Sequence, residues 1–296
     1  MKNFGIKILI FSLPALIFVI STSTFYLFTK LKIDSKFKEI SEYECLLMGD
    51  SQMQRLNGEL IAKRTKNLAS SGEHYYFTYN KLRKLVENKN HKINKVILGV
   101  SIHNFAPVYN RLFNIDFPEG KGSFERYLYF IPLFDNSKFT NHLSQLPIFN
   151  FISGVYFTPD WGGFYESNNS NPTTEIINRS FNMHFSIIKN EKKFSNYQRI
   201  YLYKIDSLCT VNNIDLTLIS TPYHIKYKEQ IKPEYYSFLY ETLRKLKNRN
   251  YIGFLYDKTD PNFMSDAIHL NKIGAKYYSK IIIKKMNAQK HNKELR

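Results

Sequence analysis

The chain has 296 residues, 43% of them apolar and 16% aromatic, enough to bury one substantial core and too hydrophobic for a disordered chain. Its formal charge of +17 invites a nucleic-acid partner, but the Lys and Arg are scattered and no zinc-finger, RNP or recognition-helix pattern accompanies them, so nucleic acid is set aside. The two cysteines, Cys45 and Cys209, have no paired spacing and no neighbouring histidine cluster; they read as core thiols and give neither a disulfide framework nor a zinc site.

Residues 1–7 form a short tail with Lys2 and Lys7, and the run that follows, Ile8 to Phe28, carries no charge and is long enough to cross a bilayer as a helix. A signal peptide shares that charged start, with an apolar core of Ile8 to Ile20 and removal near Ser21 to Ser23. The absence of an Ala-x-Ala pattern and the continuation through Phe25, Tyr26, Leu27 and Phe28 favour a retained anchor. Lys30, Lys32, Lys36 and Lys38 follow the span, so charge asymmetry does not orient it. Residues 29–42 read as a linker or a first surface helix, and 43–296 as the domain proper.

From Tyr43 the apolar pattern alternates. YECLLMG is a buried strand, SQMQRLNGELIAKR a short helix from Ser51, TKNLASSG a second strand and turn, EHYYFTYNKLRKLVENK a helix, and INKVILGV a third strand. After a long stretch the rhythm resumes with a helix in NYQRIYLYKIDSLCTVNN, a strand in IDLTLISTP, a helix in EYYSFLYETLRKLKNR, a strand in IGFLYDKT and a closing helix in LNKIGAKYYSKIIIKKMN. The economical packing of this order is a three-layer α/β/α domain around a mostly parallel sheet of five strands. The stretch at about 106–193, rich in aromatics, Asn and Gly, is too long for a plain connection and reads as an insertion. Its Tyr156, Trp161, Phe164 and Tyr165 offer faces on which sugar rings could stack, or simply pack a lid.

Reactive groups on open parallel sheets sit just after the strands. Ser51 follows the first strand in Gly49-Asp50-Ser51, Gly72 follows the second, and Gly99 to Phe105 follows the third. Asp266 and His269 lie three residues apart before the last helix. That spacing lets a carboxylate reach one imidazole nitrogen while the other faces across the strand ends toward Ser51. An Asp or Ser at such a place also caps a helix, so Ser51 alone decides nothing. His103, His184 and His224 have no nearby carboxylate or nucleophile in sequence and read as surface or substrate-groove residues. There is no G-x-S-x-G elbow, no H-E-x-x-H and no phosphate-binding glycine loop.

At these residues the sequence resembles the SGNH/GDSL hydrolase family, over Tyr43 to Asn287 apart from the insertion. Gly49-Asp50-Ser51 matches the first block of that family, Asp266 to His269 its Asp-x-x-His, and HLNKIGAKYYS the continuation. The resemblance implies Ser51 as nucleophile, His269 as general base and Asp266 as the group that orients it. It also implies an oxyanion hole from the N–H groups of Ser51 and Gly72. The third block departs: Gly99-Val100-Ser101-Ile102 stands where the family has Gly-x-Asn-Asp. Asn104 is the nearest amide that could complete the hole, and its alternative role is a helix cap.

The expectation is a serine esterase or O-acyltransferase with no cofactor and no metal, held by a single span in a bacterial cytoplasmic membrane with its domain extracytoplasmic. The resemblance implies an acylated cell-envelope polysaccharide or glycan as substrate, and a membrane acyltransferase is a candidate partner. A lipid esterase and a non-catalytic binding or assembly module are the alternatives, the latter because of the altered third block.

Overall fold

The computed structural model describes residues 2–114, 117–118, 122, 126–130, 159–169, 171–188, 190–247 and 250–294. Its strands are β1 (Cys45–Met48), β2 (Thr65–Asn67), β3 (Lys95–Gly99), β4 (Asp215–Ser220) and β5 (Asn250–Gly253). They form one sheet of order β2-β1-β3-β4-β5, and every pairing is parallel, with Leu47 beside Ile97, Ile97 beside Thr217 and Ile219 beside Ile252. The sequence reading of a mostly parallel sheet becomes an all-parallel one.

Apolar residues run without a break along Cys45–Met48 and Val96–Leu98 in β1 and β3 because both faces are covered there. Successive side chains alternate between two cores. Leu46, Met48, Val96, Leu98, Leu216 and Leu218 join the core that contains Tyr75, Tyr76, Tyr201, Leu202 and Ile205. Those partners come from α4 (Tyr75–Glu87) and α7 (Asn196–Val211). Cys45, Leu47, Ile97, Ile219 and Ile252 point the other way, into a core with Met53, Ile61, Tyr278 and Ile282. These belong to α2 (Ser51–Gln54), α3 (Gly58–Ile61) and α10 (Lys272–Glu294). Strand order reverses between β1 and β3, so the crevice at the carboxyl ends of those two strands is the place where such a sheet receives a ligand.

The first helix, α1 (Lys2–Ser41), is continuous from the apolar run into the domain. It is long and apolar enough to cross a membrane. The residues read as a linker are its last turns: Ile33 and Ile40 are buried, and the Phe37 ring meets that of Trp161 edge-on at 4.7 Å.

Within the stretch read as an insertion lie α5 (Val108–Arg111) and α6 (Thr174–Phe185). Two further helices, α8 (Ile225–Lys228) and α9 (Pro233–Arg244), follow β4. Tyr156 lies outside the described residues. Trp161 is no platform for sugars: it is 8% exposed and packs on Phe37 and Phe130. Phe164 and Tyr165 are exposed, and the guanidinium of Arg55 lies 4.4 Å from the Tyr165 ring centre. The loop that carries them is bonded to the end of α2 and the start of α10, through Tyr165 N–H to Gln54 O at 2.8 Å and Lys272 N–H to Ser167 O at 2.8 Å.

Candidate active site

The turn after β1 is forced by Gly49, whose φ of +124° and tight approach to Gly99 exclude a side chain. It sets Asp50 at the N-cap of α2, where the carboxylate accepts the N–H of Gln52 at 3.0 Å. Capping is thus the work of Asp50, and Ser51 is left at the first residue of the helix with its hydroxyl free for another partner.

That partner is His269. Ser51 Oγ lies 2.6 Å from His269 Nε2, and His269 Nδ1 lies 2.7 Å from Asp266 Oδ2. The other oxygen, Asp266 Oδ1, accepts the backbone N–H groups of Ile268 and His269, both at 3.0 Å. A bridge between Met264 and Leu270 and a bond from Ser265 N–H to His269 O at 2.8 Å close the loop. Burial would raise the Asp266 carboxyl, but the His269 ring and the two N–H donors outweigh it and hold it down to about 2. An ionised Asp266 takes the Nδ1–H of His269 and leaves Nε2 as an acceptor for the serine proton. The structure therefore brings Ser51, His269 and Asp266, which are spread over the two ends of the domain sequence, into one hydrogen-bonded line.

Gly72, at φ +65°, borders the same cavity as Ser51. Among the described residues neither the Ser51 N–H nor the Gly72 N–H has an acceptor. Two unpaired backbone donors beside a hydroxyl are suited to a developing oxyanion.

Asn104 takes the capping role that the sequence left as its alternative, not a place beside Ser51 and Gly72. Its amide donates to Asp50 Oδ2 at 2.6 Å and to Tyr109 OH at 3.1 Å, and its carbonyl accepts the Ser101 N–H at 2.7 Å, closing a capping box on the 3-10 turn Ile102–Phe105. It does not border the cavity. The physical reason is Asp50, a buried carboxylate that needs donors on every lone pair. Besides Gln52 and Asn104 it takes the Nε2–H of His103 at 2.8 Å and the hydroxyl of Tyr109 at 3.0 Å. Burial pushes its carboxyl up, but His103, Asn104 and the Gln52 N–H win and hold it far below the ordinary carboxylate range.

This hub, and Gln52, escaped the sequence reading. Gln52 is buried and ties the serine turn to both other loops, accepting from Ser101 Oγ at 2.7 Å and donating to Ile268 O at 3.0 Å. Ser101 serves that brace. The position of Gln52 one residue after Ser51 is the signal that could have found it. His103, His184 and His224 are all buried, so the surface half of their reading is corrected; His103 and His184 line the cavity, in keeping with the groove alternative, while His224 caps α8 by accepting the Lys226 N–H at 3.2 Å.

The cavity measures about 450 Å³. Val108, Leu112, Ile176, Met183 and Ile268 give it apolar walls, and among its described lining residues there is no Lys or Arg. Ile176, Met183 and His184 come from α6, so the inserted helix forms one side. Arg111 fixes the end of that helix, donating to Met183 O at 2.8 Å and Ser186 O at 3.2 Å while pairing with Glu191 at 2.8 Å. Behind Gly72, Glu73 and Lys81 form a fully buried ion pair at 2.8 Å, completed by the Thr78 hydroxyl at 2.7 Å and Leu68 O at 3.0 Å. Among the described residues no group of His, Cys, Asp and Glu is arranged to hold a metal ion.

No family model matches the chain. No curated protein matches it in sequence. Among solved structures it is similar to one described as "a putative platelet activating factor from Streptococcus pneumonia", at 11% identity and a TM-score of 0.39, over 90% of this chain and 96% of that one.

Proposed function

We propose that the protein is a serine esterase or O-acyltransferase. The observation that carries this reading is the unbroken line Ser51 Oγ, His269 Nε2, His269 Nδ1, Asp266 Oδ2 at 2.6 and 2.7 Å, opening on an apolar cavity. His269 takes the proton as Ser51 Oγ attacks an ester carbonyl, and Asp266 stabilises the imidazolium that forms. The N–H groups of Ser51 and Gly72 receive the oxyanion. When the tetrahedral intermediate collapses, His269 returns the proton to the leaving alcohol, and the acyl group stays on Ser51 until water or a sugar hydroxyl removes it. Asn104 has no part in this hole; its amide holds Asp50.

The substrate is an O-acylated glycan or polysaccharide of the cell envelope. α1 supports this, because a helix that runs from an apolar span directly into the core keeps the cavity close to the bilayer. The domain lies on the extracytoplasmic side of a bacterial cytoplasmic membrane, where a membrane acyltransferase would supply or accept acyl groups. Full-length protein in detergent, incubated with O-acetylated polysaccharide, is expected to release acetate or move it to an added glycan, and Ser51→Ala to do neither. Equal release by both proteins would refute the reading.

A further inference from the structure

His184 sits on α6 across the cavity and takes no part in the chemistry described so far. Its Nδ1 lies 2.6 Å from the hydroxyl of Tyr227. Nε2 has no partner among the described residues, and it is not sealed from the cavity that the residue lines.

The tautomer follows from burial. Tyr227 is 0% exposed, and His184 Nδ1 is the partner of its hydroxyl. If Nδ1 carried the proton, it would donate to the phenol oxygen and strand the phenol proton in an apolar pocket without an acceptor. The arrangement that satisfies both groups has Tyr227 donating to Nδ1, which places the imidazole hydrogen on Nε2. The same logic operates next door. Tyr223 takes the backbone N–H of His103 at 3.2 Å and gives its own proton to His103 Nδ1 at 2.9 Å, leaving Nε2–H for Asp50.

The two histidines then differ in one respect. The Nε2–H of His103 is consumed by Asp50, whereas that of His184 faces the cavity. Two other polar groups on the cavity wall are spent: Tyr109 donates to Asp50 and Ser180 to Ile176 O at 2.9 Å. Burial and the neighbouring His103 and His269 keep His184 well below the usual histidine range, so the donor is neutral at pH 7.

We infer that His184 is a substrate-binding residue: its Nε2–H, fixed by the Tyr227 hydroxyl, donates to an oxygen of an uncharged acyl ester bound in this cavity. Neutral acyl groups fit because, among the described lining residues, no cation is present to meet an acidic one. This rests on the serine-esterase reading, and it gives the cavity the side-chain donor that Asn104 does not supply.

The test uses full-length protein in detergent with p-nitrophenyl butyrate as the probe. His184→Leu removes the donor, His184→Gln restores an N–H donor, and Tyr227→Phe keeps the imidazole but frees its tautomer. The expected result is a loss of about tenfold or more in kcat/KM for His184→Leu, the scale of one hydrogen bond, with most of it recovered in His184→Gln and an intermediate loss in Tyr227→Phe. Nitrogen NMR of histidine-labelled wild type should show a neutral ring protonated at Nε2 between about pH 5 and 8, the range in which an ordinary histidine titrates. Equal rates for wild type and His184→Leu, or equal losses for the Leu and Gln variants, would overturn the assignment while wild-type turnover left the role of Ser51 standing. An Nδ1-protonated ring would overturn it without any variant. Wild type that neither hydrolyses the ester nor reacts with a fluorophosphonate would overturn the esterase reading and this inference together.

Discussion

Asp50 Oδ2 and His103 Nε2 meet at 2.8 Å, both almost wholly buried, one residue before the serine that faces the cavity. The Asp of the Gly-Asp-Ser turn is therefore no proton carrier. It is an anchor that collects donors from the β1 and β3 loops and so fixes the height of Ser51 above the sheet.

Removing that anchor should cost stability. Asp50→Ala leaves the His103 ring, the Asn104 amide and the Tyr109 hydroxyl without their common acceptor, and a loss of about 3–5 kcal/mol is expected, as for other broken buried pairs. Urea unfolding followed by circular dichroism measures it. A loss below about 1 kcal/mol would mean that the hub is not a source of rigidity.

The Glu73–Lys81 pair makes a second case. Lys81→Met alone strands a fully buried carboxylate and should destabilise by about 3–5 kcal/mol, whereas Glu73→Gln combined with Lys81→Met should recover much of that loss. Simple additivity of the two single changes would show that the pair is not coupled.

A pH dependence follows from His74, which caps α4 by accepting the Tyr76 N–H at 3.0 Å. Burial depresses its pKa from the ordinary 6.5 to about 3. The unfolded imidazole binds a proton first as pH falls, so the stability present above 6.5 should decline through that window and stop falling on this account near 3. His74→Asn keeps a capping side chain and should flatten the decline. Urea midpoints measured between those limits check it; a wild-type profile as flat as that of the variant would contradict the assignment.

Topology is tested separately. Protease added to intact spheroplasts should digest the domain from Tyr43 onward and leave a membrane-embedded fragment of α1. Digestion only after lysis would reverse the orientation and remove envelope glycan as substrate.

The sheet was legible because both-face burial writes apolar runs into Leu46–Met48 and Val96–Leu98 and an apolar stretch interrupted only by Thr217 into Leu216–Ile219, and the intervening helices show their period. The residues of the hydrogen-bonded line were legible because Ser51, Asp266 and His269 fall immediately after strands or before a helix. Which of its two roles Asn104 takes was not legible. Its type suits an oxyanion hole, but a buried Asp50 competes for the same amide, and that burial is a property of packing across loops distant in sequence. His184 was hidden for a related reason, since its role depends on Tyr227, 43 residues away, and on a helix inside a stretch with little periodicity. The division at 29–42 followed from charge, which did not reveal that the opposite face of the same helix carries Ile33 and Ile40 into the core.

The most direct test of the central claim is covalent labelling at Ser51. Folded full-length protein in detergent should react with a fluorophosphonate at that residue, because His269 accepts the hydroxyl proton as the phosphorus is attacked. His269→Ala should abolish labelling without unfolding the domain, and Asp266→Asn should slow it less severely, since the imidazole remains but loses its orienting carboxylate. Absence of labelling in folded wild type, or labelling that survives His269→Ala unchanged, would contradict the account and favour a non-catalytic binding module.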